Sequence, residues 1–245
     1  MELKAYLIEI EKFLKDYLAN SHCQKYILGI SGGVDSSLCA ALIKKAVGKD
    51  KLLCVIIPIE SNKDDIDDAL NIVKDLDLNY ILFDGSKTYQ EYIKEYQKLG
   101  YSLDRATLGN LKARMRMSIL YAFAQDQHGL VVGTDNADER YVGYFTKYGD
   151  GAADLLPIAH LLKGEVVEAA KIMGINTKLA ERVPTAGLYV GQTDETEMGV
   201  KYAILDAYLR GEKVSEEDTK RIKHLHDISE HKRKEIPTPI EFKRG

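Results

Sequence analysis

The chain has 245 residues, 45% of them hydrophobic, and carries 34 lysines and arginines against 38 aspartates and glutamates. This composition is typical of a globular protein that is long enough to bury one large core. No run approaches the roughly 20 apolar residues that cross a bilayer, and the charged N-terminus is unlike a signal peptide. The net charge of −4 removes any general attraction to polyanions, so we expect binding to neither membranes nor nucleic acid.

The cysteines indicate the compartment. Cys23, Cys39 and Cys54 are odd in number, form no CxxC pair and lie beside or inside apolar segments. Such cysteines are typical of reduced, mostly buried thiols. The sequence therefore predicts a cytoplasmic protein.

The predicted elements begin with an amphipathic helix over residues 2–19, in which apolar side chains recur at i, i+3, i+4 and i+7. Short apolar runs rich in β-branched residues then predict strands at 26–30, 52–57, 80–83 and 130–132. Helical periodicity fills the intervals, and this alternation is typical of an α/β fold. We expect a mostly parallel, Rossmann-like sheet that is flanked by helices.

Two helices are predicted between the third and fourth strands, at 86–99 and 103–128. The second is apolar over more of its surface than one sheet face requires. It is interpreted either as a helix that contacts a second copy of the chain or as a helix buried at the centre of the fold.

Regular periodicity stops after the fourth strand. Residues 133–160 mix glycines, charges and aromatics, and an irregular stretch of this length is typical of a functional loop. Helices are predicted again at 163–173 and 195–209, separated by an irregular segment at 183–194, and the tail from residue 215 includes a charged helix. No repeat, linker or shift of composition divides the chain, so residues 1–245 are expected to form a single domain.

The strongest local motif is ILGISGGVDSS at 27–37, where an apolar strand leads through a small-residue loop into a helix predicted at 38–47. Glycines permit the positive φ and the close backbone approach of an anion site, and serines add hydroxyl donors at a helix N-terminus. The motif therefore predicts a phosphate site, although it is neither a Walker A loop nor a dinucleotide-binding GxGxxG. The alternative is a tight turn in which Asp35 and Ser36 merely cap the helix.

The segment SGGVDS at 31–36 resembles the loop of N-type ATP pyrophosphatases, which holds the pyrophosphate that leaves when ATP donates AMP. Five further motifs are similar, in order and spacing, to those of one group in that class, the ammonia-dependent NAD synthetases. They are GTDNADE at 133–139, FTKYGDGAADLLPI at 145–158, LLK at 161–163, PTAGL at 184–188 and HKR at 231–233. The resemblance covers nearly the whole chain, and it implies an adenine nucleotide alpha hydrolase-like fold.

The resemblance implies a role for each matching position. The positions implied to bind ATP are Gly29, Ile30, Ser31, Gly32, Gly33, Val34, Asp35, Ser36, Thr134, Lys163 and Thr185. The positions implied to bind deamido-NAD, the nicotinic acid dinucleotide, are Arg114, Lys147, Asp154, His231 and Lys232. Asp35 and Glu139 match the ligands of Mg²⁺, the implied cofactor, which prefers carboxylate oxygens beside phosphates. Taken alone, Glu139 would be a solvated loop residue, Lys163 an ordinary helix residue and Arg114 a surface charge.

The implied reaction is the last step of NAD biosynthesis. AMP is transferred from ATP to the nicotinate carboxylate, pyrophosphate leaves into the glycine loop, and ammonia then displaces AMP to give the amide. The scheme needs no protein nucleophile, so we expect catalysis by positioning and by neutralising the charge of the α-phosphate. We expect free ammonia as the nitrogen donor, because nothing resembles a glutaminase domain and the length leaves no room for one.

The resemblance also carries expectations about assembly and motion. In the family the dinucleotide site lies at a subunit interface, which implies a functional homodimer. The reactive acyl-adenylate must be kept from water, and the polar segments 60–65 and 183–198 are expected to close over the site. Segment 57–62 lacks the arginine and glutamine that many family members place near the nucleotide, so its contribution to adenine binding is open.

Other functions fit the residues less well. A tRNA-modifying thiolase would need a basic surface and reactive cysteines, and a GMP synthetase core would share only the glycine loop. A module that binds ATP without turnover would not require both carboxylates, Asp35 and Glu139, that match the metal ligands. His224 and His226 diverge on a helix and predict no metal site, and Ser31 and Ser36 lack the GxSxG context of a hydrolase nucleophile.

Overall fold

The computed structural model of the chain describes residues 1–180 and 193–244. The strands are β1 (Lys25–Gly29), β2 (Leu52–Ile56), β3 (Tyr80–Leu82) and β4 (Gly129–Val132). The helices are α1 (Leu3–Asn20), α2 (Val34–Val47), α3 (Lys63–Asp75), α4 (Ser86–Lys98), α5 (Arg105–Asp126), α6 (Ala137–Val142), α7 (Lys163–Ile172), α8 (Thr177–Ala180), α9 (Asp194–Met198), α10 (Tyr202–Leu209) and α11 (Glu216–Ile228). Within these ranges, no helix has both the length and the apolar character that crossing a membrane requires.

The four strands form one parallel sheet in the order β3-β2-β1-β4, which confirms the predicted α/β architecture. In the register of the central strand, Leu28 is paired with Cys54 on one side and with Val132 on the other. Because β2 and β4 flank β1 on opposite sides, the chain order reverses at β1. In parallel α/β sheets such a reversal opens a crevice at the carboxyl ends of the strands, where ligands bind.

Helices cover both faces of the sheet. On one face, α1 and α2 pack together with α7 over the central strands. The buried residues of α1 are Leu7, Ile10, Leu14 and Leu18, which follow the predicted helical spacing. On the other face, Ile27 and Val55 pack with Met115 of α5 and Tyr89 of α4. Burial of apolar side chains on both faces stabilises the sheet and fixes the ends of its strands.

Helix α5 lies over one sheet face and contacts β1 and β4. Gly29 provides the space for this contact, because a Cβ at that position would lie 3.3 Å from Cδ1 of Leu120. Arg114 and Ser118 on the same helix remain exposed, so the helix is not buried all round, contrary to the second of the two interpretations. A contact of its outer side with a second chain remains a prediction.

Three predicted boundaries are wrong for local reasons. Helix α2 begins at Val34, within the glycine-loop motif and before the predicted start. Helix α6 lies inside the stretch that was predicted to be irregular, and six residues are too few to display helical periodicity. The helix predicted at 195–209 is two helices, since Gly199 adopts φ 66° and ends α9.

Candidate active site

A cavity of about 290 Å³ opens at the carboxyl ends of β1, β2 and β4. Its walls come from the loop after β1, the segment after β2, one side of α5 and the segment after β4. Charged side chains from α2, α6 and α7 meet at one end. The cavity therefore lies at the crevice that the strand order predicts.

The loop after β1 is held open by its own hydrogen bonds. Gly32 has φ 86°, and a Cβ there would lie 2.7 Å from the carbonyl oxygen of Asp65, so only glycine fits. Ser36 Oγ accepts from the amide of Ser31 at 3.3 Å and donates to the carbonyl of Gly33 at 3.1 Å. These contacts pre-form the loop, and Ser31 and Gly33 line the cavity.

The N-terminus of α2 faces the same space. Its N-cap is Gly33, which supplies no side-chain cap, and neither Asp35 nor Ser36 occupies the capping position. The interpretation of the motif as a simple capped turn is therefore wrong. Uncapped first amides at the end of a 14-residue helix favour a phosphate group.

Three elements bring together a lysine and two carboxylates. Nζ of Lys163, the first residue of α7, lies 2.6 Å from Oδ2 of Asp35 and 3.4 Å from Oε1 of Glu139. The ammonium also lies 5.0 Å from the ring centre of Tyr202. Burial acts to lower the pKa of Lys163, but Asp35 and Glu139 outweigh it and the pKa is raised, so the ammonium stays charged.

Asn136 links the two carboxylates. Its Nδ2 donates to Oδ1 of Asp35 at 3.0 Å, and its Oδ1 accepts from the amide of Glu139 at 3.0 Å. Oε2 of Glu139 in turn accepts from the amide of Asn136, which completes a capping box at the start of α6. The Glu139 side chain is 15% exposed, and burial raises its pKa to about 7. Glu139 is therefore not a solvated loop residue.

Asp35 and Glu139 fit the ligands of a magnesium ion. Their oxygens converge on one point, as the shared Lys163 ammonium shows, and carboxylate oxygens suit a hard cation. Within residues 1–180 and 193–244, no group of three His, Cys, Asp or Glu side chains forms a metal cage. Mg²⁺ is commonly held by one or two carboxylates together with phosphate oxygens, so two protein ligands suffice.

Two buried acids hold the first turn of α7. Oδ2 of Asp138 accepts from the amide of Lys163 at 2.8 Å, and Oδ2 of Asp206 accepts from the amide of Gly164 at 3.0 Å. Burial and the nearby Asp206 raise the pKa of Asp138 to about 8. A Cβ on Gly164 would lie 2.6 Å from Oδ2 of Asp206, so the close approach requires glycine. This support fixes the backbone from which Lys163 projects.

The sequence comparisons match this chain to one family. Residues 6–237 match the NAD synthase family. The chain belongs to the NAD synthase family. The NH(3)-dependent NAD(+) synthetase of Mesoplasma florum is 43% identical over 100% of both chains.

Two solved structures are similar to the fold of this family member. A structure described as NMN synthetase from Francisella tularensis has a TM-score of 0.93 and 37% identity, and covers 98% of this chain and 100% of that one. The NH3-dependent NAD synthetase from Campylobacter jejuni has a TM-score of 0.81 and 28% identity, with the same coverage. Both alignments span the sheet and the helices that build the site.

Most positions that the NAD synthase resemblance assigns to ATP line the cavity. These are Gly29, Ile30, Ser31, Gly33, Val34, Asp35, Thr134 and Lys163, together with the predicted metal ligand Glu139. Gly32 and Ser36 do not line the cavity but shape the loop through their local contacts. Thr185 lies outside the described residues.

None of the five positions assigned to deamido-NAD lines the cavity. Nε of Arg114 donates to the carbonyl of Lys147 at 3.4 Å, and Nζ of Lys147 donates to the carbonyl of His231 at 2.7 Å. Lys232 follows His231 in the chain. The structure thus brings Arg114 of α5, Lys147 after α6 and the pair His231-Lys232 after α11 together.

Lys232 and Asp154 have contacts of their own. Nζ of Lys232 donates at 2.6 Å to the carbonyls of Gly143 and Phe145, so the ammonium ties the tail to the segment after α6. Oδ2 of Asp154 accepts from the amide of Val131 at 2.7 Å, which fixes the segment beside β4. In this arrangement both side chains serve to position backbone.

Sequence reasoning missed Asn136, Asp138, Asp206 and Arg116. Asn136 had a signal in the sequence, because Asn-x-x-Glu at 136–139 is the pattern of a capping box. Asp138 and Asp206 are 68 positions apart in number and meet only through the tertiary packing of α6, α7 and α10. Arg116 lies two positions after the assigned Arg114, and no spacing rule distinguishes the two on a helix.

Proposed function

We propose that the protein is a ligase that amidates deamido-NAD with ammonia at the expense of ATP, and that it yields NAD, AMP and pyrophosphate. One observation carries the proposal: a pre-formed glycine loop, a buried lysine and two carboxylates meet at the switch point of the sheet, in a chain of this family. This set of groups suits a triphosphate with its metal.

The loop and α2 would bind the part of ATP that leaves. The uncapped amides of α2 and the hydroxyl of Ser31 face the cavity and can donate to pyrophosphate oxygens. The Lys163 ammonium now donates to Asp35. A phosphate oxygen is an acceptor of the same kind, so the ammonium can donate to it instead when ATP binds. Mg²⁺, held by Asp35 and Glu139, would neutralise phosphate charge when bound.

The reaction would proceed in two displacements. The nicotinate carboxylate attacks the α-phosphorus, an oxygen–phosphorus bond forms, and the bond to pyrophosphate breaks. Ammonia then attacks the acyl carbon, and AMP leaves with the former carboxylate oxygen. Neither step requires a covalent bond to the protein, so the contribution of the chain is positioning and charge stabilisation.

Two acids on the cavity wall could accept a proton from ammonium. Asp135 and Asp150 both line the cavity. Oδ2 of Asp135 lies 4.0 Å from Nη1 of Arg140, and Oδ1 of Asp150 accepts from the amide of Thr146 at 3.0 Å. Burial raises the pKa of each carboxyl, which makes its carboxylate a stronger base. This supports ammonia as the nucleophile formed within the site.

A second candidate acceptor is the mononucleotide, nicotinate ribotide. It is favoured by the TM-score of 0.93 to the structure described as NMN synthetase, against 0.81 for the NAD synthetase from Campylobacter jejuni. The amidation chemistry at the nicotinate carboxylate would be identical. The two acceptors would differ only in the second nucleotide, which deamido-NAD has and the mononucleotide lacks.

Mass spectrometry of parallel reactions separates the two acceptors. Each reaction contains ATP, Mg²⁺ and ammonium with either the dinucleotide or the mononucleotide acid, and Asp35→Ala serves as the inactive control. NAD, AMP and pyrophosphate produced together would support the first candidate, and NMN produced faster would support the second. Turnover with glutamine alone would contradict the use of free ammonia.

We further infer a homodimer that forms through α5 near Arg114, a cytoplasmic location and a closing lid. The apolar side chains Tyr92, Tyr96 and Leu99 at α4 are exposed, and the three cysteines are free thiols. Full activity of a monomer at high dilution would contradict a functional dimer.

The lid prediction concerns 60–65 and 183–198, of which 183–192 lie outside the described residues. Hydrogen exchange that both substrates leave unchanged in these segments would contradict it.

A further inference from the structure

A second cation lies on the cavity wall, on a different element from Lys163. Arg116 projects from α5 toward the segment after β2. Its Nε donates to the carbonyl of Ile57 at 3.1 Å, and its Nη2 donates to Oγ of Ser61 at 3.2 Å. In the part of the chain that the structure describes, Nη1 has no hydrogen-bond partner and no carboxylate lies within 4 Å of the guanidinium.

The surroundings of Arg116 do not neutralise its charge at contact distance. Its two partners are a carbonyl and a hydroxyl, and Asp65 and Asp150 act only from farther away. Burial lowers the pKa of the guanidinium, which nevertheless remains charged at neutral pH. The Arg116 side chain is half-buried. A cation that is partly withdrawn from water without a contacting anion is costly, and the cost falls when an anionic ligand arrives.

The cavity wall near Arg116 includes small side chains, and a Cβ on Gly149 would lie 3.1 Å from Cβ of Ala113. Ala113 and Met117 flank Arg116 on α5, and the small residues Gly149 and Ala152 line the same cavity. Asp150 adds a carboxylate to this wall. This part of the lining thus offers the guanidinium of Arg116 and the carboxyl group of Asp150 beside small and apolar side chains. An N-substituted nicotinate matches such a pair, since its carboxylate is negative and its pyridinium positive.

We propose that Arg116 binds the free carboxylate of the nicotinate ring and so distinguishes the acid substrate from the amide product. The proposal rests on the proposed function, because it requires a nicotinate acid as acceptor. A guanidinium fork pairs with both oxygens of a carboxylate, and Nη1 with the second hydrogen of Nη2 provides such a fork. A carboxamide is uncharged and would turn donor hydrogens toward the fork, so the product binds more weakly than the substrate.

Paired binding measurements test this assignment. The affinities of ATP, deamido-NAD and NAD are measured by calorimetry for the wild type, Arg116→Gln, Arg116→Lys and Arg105→Gln, which removes a guanidinium from the exposed first turn of α5. In Arg116→Gln we expect roughly 10²-fold weaker binding of the acid, with NAD and ATP each changed by less than about threefold. Arg116→Lys keeps the charge but not the fork, so an intermediate loss of about tenfold is expected.

The kinetic readout should agree with binding. For Arg116→Gln the KM for the acid should rise by about the same factor as the dissociation constant of the acid. The KM for ATP should stay unchanged. Retained ATP affinity also shows that the variant is folded. Arg105→Gln should match the wild type in every measurement.

Three results would overturn the assignment. Weaker ATP binding with unchanged acid binding would place a phosphate at Arg116. Equal losses for the acid and for NAD would mean that Arg116 only shapes the wall through Ile57 and Ser61. A wild type that neither binds nor amidates any nicotinate acid would remove the proposed function together with this inference, whereas the first two results leave the proposed function standing.

Discussion

Two cations that line the cavity, Lys163 and Arg116, differ in what compensates their charge. Lys163 lies against Asp35 and Glu139, and its side chain is only 6% exposed. Among the described residues, the guanidinium of Arg116 donates hydrogen bonds to one carbonyl and one hydroxyl and to no carboxylate. At the glycine-loop end the charges are already paired, so the lysine must exchange partners when a triphosphate and its metal bind. At the α5 end the charge is available to an anionic ligand from the start.

The largest expected effect follows from removing the paired cation. Lys163→Met deletes the ammonium that can reach the phosphates, and we expect kcat/KM to fall by roughly 10³-fold. Lys213→Met removes an exposed lysine and serves as the control for net charge. Steady-state rates of AMP formation measure both variants. A loss of less than tenfold in Lys163→Met would contradict the role of Lys163 at the phosphates.

The contact of Lys163 with Asp35 and Glu139 also predicts that Lys163→Met strengthens metal binding when no nucleotide is present. In the free protein the Lys163 ammonium occupies the oxygens of Asp35 and Glu139 that would hold the ion. Lys163→Met should therefore bind Mn²⁺, a spectroscopic substitute for Mg²⁺, about tenfold more tightly than the wild type in the absence of ATP. Electron paramagnetic resonance of free Mn²⁺ measures this affinity.

A companion variant locates that metal. Adding Glu139→Gln to Lys163→Met should abolish the gain, because one of the two carboxylate ligands is lost. If Lys163→Met bound Mn²⁺ no better than the wild type, the lysine and the metal would not share these oxygens.

The support beneath Lys163 predicts a pH dependence of stability. The pKa of Asp138 is about 8 in the folded protein and 3.8 in a model peptide, so between these values the folded state binds more protons than the unfolded state. The contribution of Asp138 to the free energy of unfolding therefore falls as pH rises from about 4 to 8. Asp138→Asn keeps an acceptor for the Lys163 amide without this titration.

Urea unfolding at pH 5.5 and 8.5 checks the prediction. The stability lost between these pH values should be smaller in Asp138→Asn than in the wild type, by on the order of 1 kcal/mol or more. Asp126→Asn, at the exposed end of α5, supplies the control for the removal of a carboxylate. Parallel pH profiles of the wild type and Asp138→Asn would contradict the burial of a titrating acid at this position.

Much of the fold could be predicted from the sequence because the strands and long helices carry periodic patterns. Each strand end lies within one residue of its predicted position, and each end of α1 is shifted by one residue. The short helix α6 carries no period, and the division between α9 and α10 depends on the single backbone angle of Gly199. Patterns of 10 to 15 residues are visible in a sequence, whereas single turns are not.

The site could be predicted only as far as local motifs extend. The glycine loop and the match at Glu139 led to side chains that line one cavity. Arg116 and Asp206 could not be assigned, because their roles depend on which elements pack together. The five positions matched to deamido-NAD cluster in part beside the cavity, and their contact with a substrate remains a prediction.

The smallest expected effect separates helix capping from the organisation of the site. Asn136 caps α6 and Ser215 caps α11, each through an amide three residues later. Asn136→Ala and Ser215→Ala should each lower the free energy of unfolding by about 1 kcal/mol. Only Asn136 also donates to Asp35, so only Asn136→Ala should reduce kcat/KM, by about tenfold. Equal turnover in the two variants would mean that Asn136 stabilises α6 without setting the distance between Asp35 and Glu139.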